Sequence, residues 1–236
     1  MTPGWRHRFA QWRLHRGLRA VIAAARRLER VAAYSAWREA AAPAAFDDFP
    51  CAAPRYQRRT ELYAFLLEHA GLADVAIDYL EFGVAGGDSL RWWLAQQRQP
   101  DSRFYGFDGF TGLPEAWDDL PAGHFAREGL PQGLDDPRCR LVPGLFQQTL
   151  RPFLASVKLA HRRVVHLDAD LYSSTLYVLL HLEPHLRRGD LVLFDEFTSL
   201  EHELRAWQDA LAATGRHARL VAARNNYRQV AFELED

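Results

Sequence analysis

The stretch Tyr79-Leu-Glu-Phe-Gly-Val-Ala-Gly-Gly-Asp-Ser-Leu90 decides the fold of this chain. An apolar, strand-like run leads into Gly83, Gly86 and Gly87, and a helical stretch begins at Ser89. A glycine-rich turn between strand and helix brings backbone close to a bound ligand. Ser89 stands where a helix cap or a ligand contact is expected. The spacing is not GxGxxG and there is no Walker lysine, so plain dinucleotide or ATP binding is disfavoured. Taken alone, the stretch also reads as a tight turn that holds no ligand.

Outward from this turn, strands and helices alternate. Strand-like runs lie at Ile77–Val84, Arg103–Asp108, Cys139–Pro143, Arg163–Asp168, Leu191–Asp195, Ala218–Ala223 and Tyr227–Leu234. Helical stretches fall at Ser89–Gln97, Phe146–Ala155, Ser174–Leu186 and Glu201–Thr214. Near-continuous apolar runs such as Val164–Leu167 and Leu191–Phe194 predict strands buried on both faces. Such alternation predicts a parallel sheet with right-handed crossovers. Only Arg224, Asn225 and Asn226 join the last two strands, too few for a crossover, so these strands form an antiparallel hairpin. The fold class is therefore α/β, with a mostly parallel sheet.

Ahead of this body, residues 5–42 read as a basic helix, and Pro43, Pro50 and Pro54 mark a connecting stretch. A further helix over about 57–70 carries an apolar stripe at Leu62, Tyr63, Phe65 and Leu66, with Gly71 at its end. Residues 1–54 are read as a helical extension and 55–236 as the main domain. Residues 1–45 hold nine arginines against two glutamates, a net +7, and the remainder carries −8. The extension is a solvated face, an oligomer contact with an acidic body, or an anchor on anionic lipid. Trp5, Trp12 and Trp37 favour a homo-oligomer contact.

The formal net charge of −1 gives the whole chain no polyelectrolyte reason to bind nucleic acid. No apolar run reaches the ~20 residues of a membrane span. The lone Cys51 and Cys139 suit free thiols, and no secretory leader is visible, so the expected compartment is the cytoplasm.

Three strand ends carry acids. Phe104-Tyr-Gly-Phe-Asp-Gly-Phe110 places Asp108 where a ribose-binding acid belongs, roughly 20–25 positions beyond the glycine turn. Val164-Val-His-Leu-Asp-Ala-Asp-Leu-Tyr172 ends in Asp168 and Asp170, and Leu191-Val-Leu-Phe-Asp-Glu-Phe197 in Asp195 and Glu196. If these two strands are adjacent, about 4.8 Å apart, the four acids gather at one carboxyl edge. Such acids repel unless one is protonated or a cation joins them, and a hard divalent ion such as Mg²⁺ resolves the conflict. The other reading is four exposed loop acids.

Several segments occur together and in order: Arg59-Thr-Glu-Leu-Tyr63, Asp78-Tyr-Leu-Glu-Phe-Gly-Val84, Tyr105-Gly-Phe-Asp-Gly-Phe-Thr-Gly-Leu-Pro-Glu115, Gly144-Leu-Phe-Gln-Gln-Thr-Leu150, Leu167-Asp-Ala-Asp-Leu-Tyr-Ser-Ser-Thr175 and Phe194-Asp-Glu-Phe197. Over about residues 55–235 the chain resembles the macrocin O-methyltransferase family, which methylates sugar or related hydroxyls in antibiotic biosynthesis. The resemblance implies a Rossmann-like class I methyltransferase sheet, S-adenosylmethionine as donor, Mg²⁺, and a small hydroxylated acceptor. It places metal ligands on Asp168, Asp195 and Glu196, a general base on Asp170, and donor contacts on Glu81, Gly83, Ser89 and Asp108. The family often has aspartate where Glu196 stands. Residues 116–136 are expected to form a lid, with Trp117, His124 and Phe125 as acceptor contacts. Rival readings are a different reaction on the same scaffold and a non-catalytic adenosyl-ligand-binding protein.

Overall fold

The computed structural model describes residues 17–236, which fall into two units divided between Ala41 and Ala42. In the first unit, alanine and arginine, both strong helix formers, build helix α1, Arg19–Ala40. Tyr34 and Trp37 stack along it with ring centroids 6.0 Å apart. The expected start of this helix, with Trp5 and Trp12, lies outside the described residues.

The second unit holds β1 (Phe46–Asp47), α2 (Arg59–His69), β2 (Ile77–Phe82), α3 (Asp88–Gln96), β3 (Arg103–Asp108), β4 (Cys139–Pro143) and α4 (Phe146–Ser156). It continues with β5 (Arg162–Leu167), α5 (Tyr172–Leu182), β6 (Leu191–Phe194), α6 (Glu203–Thr214), β7 (Ala218–Arg224) and β8 (Gln229–Leu234). The sheet order is β1-β7-β8-β6-β5-β2-β3-β4. Only β8 runs antiparallel to its neighbours; the other pairings are parallel. This is the predicted α/β architecture with its terminal hairpin. Every residue of β2 and β6 is buried, which accounts for the unbroken apolar run of β6, while β2 buries Asp78 and Glu81 among its apolar residues.

Two details differ from the sequence reading. The two units divide after Ala41, because the connecting stretch packs with the body: Phe46 and Asp47 pair with β7, and Asn226 bonds both backbone groups of Cys51 at 2.6 and 2.9 Å. A two-residue strand has no period to read. Helix α5 stops at Leu182 and a 3₁₀ turn follows over Glu183–His185, since Pro184 lacks the N–H that would continue the α ladder.

Strand register sets the functional edge. Phe82 pairs with Phe107 on one side and Leu167 on the other, and Leu167 pairs with Phe194. The next residue of each strand therefore stands in one row: Asp108, Gly83, Asp168, Asp195. Hydrogen bonds continue past the strand ends to hold that row, from Gly83 N–H to Phe107 (2.9 Å), Asp168 N–H to Phe82 (2.9 Å) and Asp195 N–H to Leu167 (3.0 Å). Gly83 has φ +98°, and a Cβ there would lie 1.8 Å from the Asp168 carbonyl oxygen. Only glycine lets the two strand ends approach so closely.

Candidate active site

A cavity of about 410 Å³ opens on this row, with Gly83, Asp108, Asp168, Asp170 and Glu196 in its wall. On one side, Asp108 accepts hydrogen bonds from the N–H groups of Ala85 (2.8 Å) and Phe110 (2.6 Å). One oxygen is used by each, so each keeps a second acceptor position for a ligand hydroxyl. Ser89, at the start of α3, lines the cavity and donates to Glu81 at 2.6 Å. Glu81 is fully buried, accepts a second bond from the Tyr79 hydroxyl at 2.8 Å, and is not part of the cavity wall. It lies beneath the turn and anchors Ser89.

On the other side, the acids meet two guanidinium groups. Arg59, on α2, donates to Asp195 at 2.7 Å and lies 3.5 Å from Asp168. It also donates to the Tyr56 hydroxyl and lies over the Tyr56 ring, 4.2 Å from its centroid. Arg228, in the β7–β8 turn, holds both oxygens of Glu196. The turn that carries it is built by Asn225, Asn226 and Tyr227, all at positive φ, a conformation asparagine tolerates. Antiparallel pairing of β6 with β8 then sets Arg228 beside Glu196.

The electrostatics separate the acids. Burial, followed by the charges of Asp195 and Asp170, pushes Asp168 well above the usual carboxylate range. Asp195 is fully buried, which opposes ionisation, yet the neighbouring His166 and Arg59 hold it below that range. Burial, then the charges of Glu196 and Asp195, raise Asp170 to about 7. Asp170 also holds φ +57°, a strained backbone for a residue with a Cβ, which sets its carboxyl at the cavity wall. Glu203, at the start of α6, is fully buried and accepts the Glu196 N–H at 2.9 Å, fixing that end of the row.

Among the described residues there is no group of three or more His, Cys, Asp or Glu side chains in a metal-holding arrangement. Two members of the expected set suit a hard cation. Asp168 and Asp195 converge on a single positive group, and Asp195 Oδ1 is buried without a hydrogen bond, with His166 Nε2 3.9 Å away. The third, Glu196, is turned to Arg228. In this arrangement Arg59 and Arg228 balance the charges that led the sequence reading to a metal.

The segment expected to form a lid contributes to the cavity wall. Trp117 and Phe125 line it, with centroids 6.5 Å apart, and the Trp117 indole N–H lies 3.4 Å from Ser199 Oγ. Glu115 accepts a bond from Ser173, and Asp118 lies 3.5 Å from His202. Sequence reasoning named no role for Tyr56, Arg59, Glu203 or Arg228. Arg59 lies within a segment already tied to the family, but its contact with Asp195 spans 136 positions and has no local pattern.

The profile of the macrocin-O-methyltransferase (TylF) family matches residues 11–223, a range that begins within the N-terminal extension. A Streptomyces olivaceus protein, 8-demethyl-8-(2,3-dimethoxy-alpha-L-rhamnosyl)-tetracenomycin-C 4'-O-methyltransferase, is 34% identical over 152 residues, covering 53% of this chain and 55% of that protein. The match thus spans about half the length of that relative. The crystal structure of the calicheamicin methyltransferase CalS11 superposes with a TM-score of 0.61 at 25% identity, over 77% of this chain and 81% of the other. The O-methyltransferase NovP shares the fold, with a TM-score of 0.57 at 21% identity over 77% and 80% of the two chains.

Proposed function

Because this chain belongs to the macrocin-O-methyltransferase family, whose members are O-methyltransferases that use S-adenosylmethionine, we propose that it methylates a sugar hydroxyl of a glycosylated natural product. The observation that supports this reading is the row Asp108–Gly83–Asp168–Asp195, in which Asp108 and Asp168 flank one glycine turn and Asp170 follows two residues beyond Asp168. Asp108 takes the donor's ribose hydroxyls, and the bare backbone at Gly83 leaves room for the donor beside it. Ser89 contacts the donor, with Glu81 holding it in place.

Asp170 removes the proton of the acceptor hydroxyl while that oxygen displaces the methyl carbon from the sulfonium sulfur. The products are a methyl ether and S-adenosylhomocysteine. A carboxylate held at about 7 is divided between its two forms near neutral pH, which suits a general base. The remaining contribution is alignment of oxygen, methyl and sulfur, supplied by the lid and the strand ends. Trp117 and Phe125 give the acceptor an apolar wall, consistent with the rhamnosyl-tetracenomycin named for the Streptomyces relative.

The finer reading is magnesium dependence. Asp168, Asp195 and Glu196 would hold the ion, with Arg59 and Arg228 turned aside, and the ion would lower the pKa of the acceptor hydroxyl. The convergence of Asp168 and Asp195, and the buried oxygen of Asp195 without a hydrogen bond, support it. Excess chelator is expected to abolish turnover and Mg²⁺ to restore it, with Mn²⁺ binding measured directly by calorimetry. Full turnover in chelator, with no measurable Mn²⁺ binding, rejects the metal reading while leaving methyl transfer intact.

The test of the function itself is an assay with methyl-labelled donor against a panel of glycosylated polyketides and their aglycones. Label is expected only in glycosylated acceptors, at a sugar oxygen. Label in the aglycones alone contradicts the sugar assignment.

A further inference from the structure

Three guanidinium groups line the cavity: Arg59, Arg127 and Arg228. Two are committed, Arg59 to Asp195 and Arg228 to Glu196. Arg127, on the lid, makes no side-chain hydrogen bond or ion pair with any described residue. Its position is nonetheless held. Its backbone N–H bonds the Phe110 carbonyl at 3.3 Å, next to the Asp108 strand end. Its guanidinium lies flat against bare backbone: a Cβ on Gly86 would meet the guanidinium carbon and both terminal nitrogens at 3.3–3.4 Å. The following lid residues continue over the same turn, since a Cβ on Gly87 would meet Leu134 and Pro131 at 3.2 and 3.3 Å, and Arg91 bonds the Gln132 carbonyl at 2.8 Å. A planar cation with no hydrogen-bond or ion-pair partner among the described residues is thereby seated on the glycine turn.

The chemistry of the donor says what such a cation meets. Its sulfonium has three substituents: the ribose arm, the transferable methyl and the amino-acid arm. With the ribose at Asp108 and the methyl directed to Asp170, the amino-acid arm must leave along the remaining direction, over Gly83–Gly87. That arm carries the donor's one carboxylate. A guanidinium matches a carboxylate with two parallel N–H bonds.

We propose that Arg127 is the lid's clamp on the carboxylate of S-adenosylmethionine, so that the loop shaping the acceptor wall also closes on the donor. The assignment rests on the proposed function and extends it to a residue of the lid. The same cation would also suit an anionic acceptor such as a nucleotide-linked sugar, and the experiment separates the two.

Binding of S-adenosylhomocysteine and of its decarboxylated analogue is measured by calorimetry on the full chain, wild type, Arg127→Gln and Arg127→Lys. A solvent-open charge-assisted pair is expected to give about a tenfold effect. Wild type should bind S-adenosylhomocysteine about tenfold more tightly than the analogue. Arg127→Gln should lose that advantage and bind the analogue as wild type does, with Arg127→Lys in between. Equal loss for both ligands, or no loss for either, overturns the assignment. So does a variant that binds S-adenosylhomocysteine normally but a nucleoside diphosphate more weakly than wild type. A wild-type chain that binds no S-adenosylhomocysteine overturns both the clamp and the function it rests on.

Discussion

Gly83→Ala is the most severe single-atom test of the site. The added Cβ would sit 1.8 Å from the Asp168 carbonyl oxygen and 2.7 Å from its carbon, where ordinary contact begins at 3.4 Å. Both obstacles are backbone, so no rotamer relieves them. The ends of β2 and β5 must part by more than an ångström, which breaks the 2.9 Å bond from Asp168 N–H to the Phe82 carbonyl. Positive φ costs a residue with a Cβ about 1–2 kcal/mol, and forced separation of packed backbone adds about 1–3 kcal/mol. The sum is a loss of roughly 2–5 kcal/mol, or roughly 4–20 °C in Tm for a domain of this size. Gly71→Ala is the control: its φ is +65°, but nothing lies within 4 Å of the added atom, so only the conformational cost of about 1 kcal/mol remains. Urea unfolding of both variants gives the comparison, and calorimetry with S-adenosylhomocysteine on folded Gly83→Ala gives the functional readout, expected to be weakened binding. Equal destabilisation by the two substitutions would refute the close approach of the strand ends.

Other outcomes follow from the charges. Arg59→Gln leaves the buried Asp195 without its cation and should cost about 3 kcal/mol near neutral pH. Asp195 is held below the ordinary carboxylate range, so its contribution is present above that range and fades as pH falls through it. The gap between wild type and Arg59→Gln in urea unfolding should therefore hold from pH 7 to about 5 and shrink as pH falls from about 4 towards 2, and a gap that stays constant down to pH 2 contradicts the pairing. Asp170 is raised to about 7 and must be ionised to accept a proton, so single-turnover rates should climb as pH rises through about 7 and level off above it. A flat profile from pH 5 to 8 contradicts its role as base.

Much of this fold is visible in the chain itself. Apolar runs such as Leu191–Phe194 and the short link read at Arg224–Asn226, which the structure places at residues 225–228, indicate a parallel sheet ending in a hairpin, because burial and connection length act locally. The acids are legible for the same reason, since each ends an apolar strand. Their neutralisation is not. Arg59 reaches Asp195 from α2, and Arg228 reaches Glu196 only through the register of β6 with β8. Neither contact leaves a periodic trace. Glu81 shows the complementary limit: the family resemblance implies a donor contact there, while its side chain bonds Tyr79 and Ser89 beneath the turn.

Asp170→Asn, measured for donor binding and turnover on one preparation, tests the proposed chemistry most directly. Asparagine keeps the shape and removes the proton acceptor, so the dissociation constant for S-adenosylhomocysteine should stay within about twofold while kcat falls by about 10²–10⁴. Wild-type kcat in this variant, with donor and acceptor saturating, would contradict the account.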